Sequence, residues 1–445
     1  MGIFKAYDIR GRTPDEIHPD LARRLGWATV TFLKARTVAV GHDVRESSPT
    51  LAAATAAGAR DAGAEVWELG LCTTPMSYFA CSKYGLDGAI MVTASHNPPM
   101  DNGFKICRAG ASALSEASGL KDLERLVRDW PGARTALTTV RAQWPRLADD
   151  YIAHLRSFLK VSRPLKIAVD TAHGCVGAFF DRVIAGLPLT IERLCFEPDG
   201  RFPSHEPNPL KDENVRDLAA AMKARPVDLG VAFDGDGDRA IFFDERGRRI
   251  PSDFITALLS KMLLAQSPGA AVVYDLRSSR TVPEEIERAG GKPIEERVGH
   301  SFIKETMRRH NAVFGGELSG HFYFRANQFA DSGQTAFTHV LTLLAGSAGP
   351  MSALLEPLRR YFATGELNFR VEDKAGAISR LAELFADGKQ KRLDGLSVEY
   401  PSWWFNVRQS NTEPLLRLNL EGRTAGDREA GLKRVTALIG PPLEE

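Results

Sequence analysis

The sequence predicts an α/β fold: three successive mixed α/β domains of the βαβ type, followed by a smaller C-terminal α+β domain. Three observations carry this. Apolar runs that end in aspartate recur along the chain: Val38-Ala39-Val40 leads to Asp43, Ile167-Ala168-Val169 to Asp170, and Val272-Val273-Tyr274 to Asp275. Each is followed by a polar loop and a helical pattern, as a βαβ unit requires. Beyond about Gly349-Pro350 the order changes, and the segments from Glu366–Arg370 onward read strand, helix, several strands, helix. The length of 445 residues, 43% hydrophobic and 25% charged, is ordinary globular usage and enough for three or four domains. The punctuated stretches Trp130-Pro131-Gly132 to Trp144-Pro145 and Gly247 to Pro251 mark boundaries, giving expected domains at 1–143, 144–247, 248–357 and 358–445.

In the first domain the apolar run Gly88-Ala89-Ile90-Met91-Val92 reads as a buried strand, and it delivers Ser95 to the polar loop Thr93-Ala94-Ser95-His96-Asn97-Pro98. A serine-hydrolase elbow is excluded, because the loop lacks both glycines of G-x-S-x-G. In the second domain Leu229-Gly230-Val231-Ala232-Phe233 leads into Asp234-Gly235-Asp236-Gly237-Asp238-Arg239. Three carboxylates at alternate positions, separated by glycines, can fold around one Mg²⁺, whose shell a phosphate on Ser95 would complete. Arg239 can grip the same phosphate as a fork. A calcium loop of EF-hand type is the competing reading, with Glu245 at its twelfth position. Against it, Arg239 stands at the sixth, where that turn wants glycine, and the preceding segment reads as a strand. A nucleophilic hydroxyl with a hard-cation loop points to phosphoryl transfer.

Composition narrows the alternatives. A formal net charge of +1 supplies no global field for nucleic acid or an anionic membrane. The five cysteines, Cys72, Cys81, Cys107, Cys175 and Cys195, form no C-x-x-C pair and leave one over, which suits a reducing compartment. The N-terminus becomes charged too early for a secretory signal, and Ala6 stands where myristoylation wants Ser or Thr. Even the run Phe254 to Leu264 is interrupted by Lys261, so no stretch reads as a membrane span. The cytoplasm is the expected compartment.

The serine and aspartate loops together resemble those of the α-D-phosphohexomutase superfamily, which read T-(A/G)-S-H-N-P and D-G-D-x-D-R. Gly316-Glu317-Leu318-Ser319-Gly320-His321 is similar to that family's sugar-binding loop, and Arg408-Gln409-Ser410-Asn411-Thr412-Glu413-Pro414 to its phosphate-binding loop. All four occur in family order. The resemblance implies four domains around a central cleft, one loop from each, with the metal held by Asp234, Asp236, Asp238 and Ser95. It also implies active-site roles for Tyr7 and Arg10 in Tyr7-Asp8-Ile9-Arg10-Gly11, for His96 beside the serine, for Lys105, and for His300 in Gly299-His300-Ser301. Arg277 stands where bifunctional relatives often carry lysine, and as an arginine it is cast as a phosphate or hydroxyl donor. His300, with an intrinsic pKa near neutrality, is a candidate to exchange a proton with a sugar hydroxyl, a structural role being an equal alternative.

Glu317 is expected to accept hydrogen bonds from two adjacent sugar hydroxyls, with Ser319 and His321 pointing the same way along an extended segment. Arg408, Ser410, Asn411 and Thr412 would hold the phosphate that is not being transferred. Asn411-Thr412-Glu413 is no glycosylation site, since its third position is neither Ser nor Thr. The implied activity is a Mg²⁺-dependent mutase, a phosphomannomutase with some phosphoglucomutase activity, working through a hexose 1,6-bisphosphate and acting as a monomer or dimer. Phosphoglucosamine mutases usually show G-E-Q-S-G-H and R-P-S-G-T-E-P, from which Leu318 and Asn411 depart. A catalytically silent sugar-phosphate or calcium-binding protein is the reading from another class.

Overall fold

A computed structural model describes residues 2–133, 144–410 and 415–443. Its first sheet runs in the spatial order Ile9–Arg12, Asp101–Arg108, Gly88–Val92, Thr37–His42, Glu65–Leu71. The second runs Ala240–Phe243, Leu229–Phe233, Leu165–Asp170, Leu189–Leu194, and the third includes Phe322–Phe324, Phe314–Gly316, Ala271–Asp275, Lys292–Glu296. The expected repeat is present. In each sheet the strand ending in aspartate pairs in parallel with the strand that follows its helix. It also pairs in parallel with a third strand, which turns back on itself as an antiparallel hairpin. The three hairpin turns are the serine loop, the aspartate loop and the loop of Glu317 to His321, expected to bind sugar. Their common position follows from the common topology, since the parallel strands all end at the same edge of their sheet, where α/β folds place ligands.

The strand-end aspartates share a second device. Asp43, Asp170 and Asp275 are all buried, and each accepts the backbone N–H two residues on, at 3.0, 2.8 and 2.9 Å. In the first and third units that residue is an arginine whose guanidinium folds back on the carboxylate, Arg45 on Asp43 and Arg277 on Asp275. In the second unit the cation comes from elsewhere: His205 Nε2 lies 3.0 Å from Asp170, while its Nδ1 lies 2.9 Å from the Glu206 carbonyl.

The fourth sheet is wholly antiparallel, in the order Phe362–Phe369, Leu416–Gly422, Trp403–Gln409, Leu396–Glu399, Lys389–Lys391. Helices Lys374–Leu384 and Ala425–Ile439 lay Ala377, Leu381, Val435 and Ile439 on it, making a separate apolar core. By contrast, the second and third sheets share one core. The helix Trp144–Arg156 joins the first sheet to the second, burying Tyr151 and Leu155 in a core that takes Met76 from one side and Phe179 from the other. Contacts from the fourth sheet to the third are polar, through Arg280 to the Tyr400 carbonyl and Lys391 to Glu295. Among the described residues no helix is long and apolar enough to cross a membrane.

The Asp170–His205 pair gives a pH test. Burial opposes charge on His205, but hydrogen bonds with Asp170 and Cys195 push the imidazole up to about 10. A raised folded-state value contributes stability that is complete below the unfolded value of about 6.5 and is lost as pH rises through the folded one. Stability should therefore fall between about pH 6.5 and 10, and His205→Gln should flatten that slope, as read by urea midpoints across the range.

Candidate active site

Ser95 is buried and takes a left-handed backbone, φ 53°, which costs a non-glycine residue about 1–2 kcal/mol. The strain is held by Arg45. This guanidinium is fully buried and donates to four carbonyls of the same loop: Pro98 at 2.5 Å, Asp101 at 2.9 Å, Ser95 at 3.0 Å and Asn97 at 2.7 Å. Asp43 balances its charge at 3.2 Å, and the Phe202 ring covers it at 5.1 Å. Thr93 Oγ1 accepts from the Ser95 N–H at 2.8 Å, so the loop presents one hydroxyl in one direction. Ser95 Oγ donates to Asp234 Oδ2 at 2.9 Å and lies 3.2 Å from His96 Nδ1.

The aspartate loop links two antiparallel strands, so the helix–loop–helix of an EF-hand is absent there. Gly235 faces the serine loop closely: a Cβ on it would lie 2.6 Å from the Ser95 carbonyl oxygen. Gly237 takes φ 76°, a left-handed turn suited to glycine. The carboxylates of Asp234, Asp236 and Asp238 are buried with ligand oxygens within 4.8 Å of one another.

Cations converge on this acidic floor. Lys105, from the strand antiparallel to the serine strand, donates to Asp236 at 2.7 Å and also to Asp238. Burial opposes its charge, but the two carboxylates outweigh burial and hold it ammonium. Thr74, at the start of the helix Thr74–Lys83, donates to Asp236 at 2.6 Å. Asp234 is pushed well up by burial and by the charges of Asp238 and Asp236. Asp238 is held well below the carboxylate range, because Lys105 and His321 overcome its burial. The donor set fits a hard divalent cation such as Mg²⁺: it is all oxygen, and Asp236 and Asp238 each keep a buried Oδ1 without a hydrogen-bond donor among the described residues.

Above the floor lies a cleft of about 830 Å³, lined from the first three sheets by Tyr7, Arg10, His96, Lys105, Arg239, Arg277, His300, Glu317, Ser319 and His321, and from the fourth by Arg408 and Ser410. Of the residues expected in the site, only Asn411 and Thr412 lie outside the described residues. Arg10 donates to Asp8 and Asn97, both at 2.7 Å. Arg239 Nε donates to His321 Nε2 at 3.2 Å, joining the aspartate loop to the sugar loop.

Two expectations are corrected. Glu317 to His321 is a tight turn, closed by the Glu317 N–H to the His321 carbonyl at 3.0 Å and by Gly320 at φ 83°, so the extended segment is absent. The turn still brings Ser319 Oγ within 2.9 Å of His321 Nδ1, while Glu317 accepts from the Gly299 N–H at 3.0 Å and from Tyr323. His300 does not titrate near neutrality: burial, then Lys304 and His321, hold it well below, and burial with Arg239 does the same to His96. Both are neutral bases.

All four sheets match models of one family: phosphoglucomutase/phosphomannomutase alpha/beta/alpha domain I over residues 1–129, domain II over 149–247, domain III over 251–361, and the C-terminal domain over 366–437. The chain belongs to the phosphoglucomutase/phosphomannomutase family. This places it in the α-D-phosphohexomutase superfamily as an isomerase that transfers a phosphoryl group intramolecularly. A protein of Xanthomonas campestris pv. campestris strain B100 named "Phosphohexose mutases" is 42% identical over 431 residues, 95% of each chain. The phosphomannomutase of Salmonella montevideo is 40% identical over 454 residues, 99% of each chain. The crystal structure of a phosphoglucomutase/phosphomannomutase family protein from Burkholderia thailandensis has a TM-score of 0.89 at 33% identity, covering 99% of this chain and 98% of that one.

Within this family fold, sequence reading passed over Arg45, Thr74, Asn97 and Glu366, all of which touch the expected site residues. Arg45 was signalled only by Asp-x-Arg after a strand, the spacing that Asp275 and Arg277 repeat. Arg45→Lys supplies three donors where four carbonyls and Asp43 were served, leaving at least two of these acceptors unpaired. It should cost about 2–4 kcal/mol in denaturant melts and reduce phosphotransfer activity about a hundredfold or more.

Proposed function

We propose that this enzyme interconverts mannose 6-phosphate and mannose 1-phosphate, and glucose phosphates as well, through a phosphoserine at Ser95 and a hexose 1,6-bisphosphate. The observation that carries the reading is Ser95 Oγ, 2.9 Å from Asp234 at the acidic floor of a cleft whose far wall bears Arg408. Mannose as the preferred sugar rests on the relatives named phosphomannomutase and on Gly-Glu-Leu-Ser-Gly-His in the sugar loop. Five free thiols and the absence of a spanning helix among the described residues support a cytoplasmic site of action.

Held by Asp234, Asp236 and Asp238 with Ser95, Mg²⁺ would neutralise charge on the transferring group. The chain's own residues do the rest. Arg45 and the left-handed backbone hold Ser95 Oγ in one place, so the donor is oriented before substrate binds. A sugar hydroxyl oxygen bonds to phosphorus as the bond to Ser95 Oγ breaks; its proton passes to a neutral base in the cleft, where His96 and His300 stand, and is handed on to the departing Ser95 Oγ, 3.2 Å from His96 Nδ1. In the second half the other phosphate is returned to Ser95 Oγ, whose proton goes back to the sugar oxygen. Arg408 grips whichever phosphate is not reacting, and that remote contact orients the reacting end.

Ser95→Ala should lower mutase activity by more than about a thousandfold with an unchanged melt, and intact-mass spectra should lose a species heavier by one phosphate. Undiminished turnover in that variant would refute the mechanism. Arg408→Ala should raise KM for both mannose 1-phosphate and glucose 1-phosphate by about 10- to 100-fold while Ser95 remains phosphorylatable. Unchanged KM and kcat would show that the fourth sheet does not hold substrate.

A further inference from the structure

The arginines on the far wall are not waiting alone. Glu366 reaches them from the strand Phe362–Phe369, just after the register shift between Ala363 and Glu366. Its Oε2 accepts from Arg408 and lies 3.5 Å from Arg277 Nη1, and its Oε1 accepts from Arg417 at 3.0 Å. Arg408 and Arg417 face each other across the neighbouring pair of strands, and Arg277 comes from the third sheet. One carboxylate thus ties two guanidiniums of the fourth sheet to one of the third, inside the cleft.

The charges around it are unequal. Arg277 is largely spent on Asp275, to which Nη2 donates at 2.6 Å and Nε at 3.2 Å. Arg408 and Arg417 share Glu366. Arg408 is 2% exposed and its Nε has no hydrogen-bond acceptor among the described residues, so its capacity for an anion is not used up. Burial disfavours the Glu366 charge, but Arg277, Arg408 and Arg417 hold it below the usual carboxylate range, so it is ionised at neutral pH.

Resting on the reading of Arg408 as the grip on the non-reacting phosphate, we infer that Glu366 is a built-in counter-anion of that site. It keeps Arg408 and Arg417 aimed into the cleft before substrate arrives, and it competes with the substrate phosphate for them. A phosphate that meets these arginines also meets a carboxylate of its own sign, so its grip is weaker than the cations alone would give. For a mutase whose bisphosphate must exchange its two ends, a tempered grip favours release and rebinding. Glu366 is in these terms a positioning residue that sets phosphate affinity.

The test uses the full chain in a Ser95→Ala background, titrated with mannose 1-phosphate and with inorganic phosphate, alongside steady-state kinetics in the otherwise wild-type enzyme. Glu366→Gln keeps the shape and removes the charge, and should tighten both ligands about five- to tenfold, lowering KM and kcat together. Glu366→Asp retains the competing charge and should stay closer to wild type in both constants. Weaker or unchanged binding in Glu366→Gln, with Arg408→Ala weakening it as expected, overturns the counter-anion and leaves the phosphate site standing. Equal weakening in the Gln and Asp variants assigns Glu366 a merely structural role and overturns it too. If Arg408→Ala leaves the binding of mannose 1-phosphate intact, the phosphate-site reading itself fails and the inference falls with it.

Discussion

Three carboxylates whose oxygens lie within 4.8 Å of one another cannot stay ionised in a dry floor unless positive charge is brought to them. Much of the architecture follows from that demand. No single sheet meets it. Asp234, Asp236 and Asp238 stand on the second, Lys105 reaches them from the first, and His321 from the third accepts from Arg239 and so steadies that guanidinium 3.8 Å from Asp234. The cost of burying the charge is offset only when the first three sheets are in register with one another. Their shared apolar cores, bridged by the helix Trp144–Arg156, supply that register.

The same unit used three times turns one piece of geometry into three chemistries. A strand ending in a buried aspartate, a crossover helix and an antiparallel hairpin place one turn per sheet at the same edge, and the identity of that turn is free to vary. In the first it carries a hydroxyl, in the second carboxylates, in the third the Glu317 and His321 pair. The fourth sheet is built differently and contacts the rest through polar groups, of which Glu366 is one.

How much of this was legible in sequence divides along locality. The strands Gly88–Val92 and Leu229–Phe233 fell where the apolar runs placed them, because a buried parallel strand writes itself as a continuous apolar run. The serine and aspartate loops were legible because their chemistry sits in adjacent residues. Thr74 was not, and Arg45 was marked only by its Asp-x-Arg spacing, since the site residues they touch lie more than a hundred and about fifty residues away. Glu366 was seen only as the start of a strand. The sugar loop was misjudged as extended because alternation was weighed above Gly320, whose left-handed backbone closes the turn. The near-neutral pKa of His300 is its value in water, and burial beside Lys304 moves it down.

The serine loop has a consequence for the whole catalytic cycle. With a guanidinium clasping four of its carbonyls and Gly235 pressed against its backbone, the loop has no slack with which to follow a ligand. A fixed anvil makes the workpiece move. In a mutase of the proposed kind the sugar must present first one end and then the other to the same immobile oxygen, so the cleft has to be tolerant where the loop is strict. Discrimination between sugars is then bounded by what two opposed poses have in common, and breadth of substrate becomes the natural companion of a rigid donor.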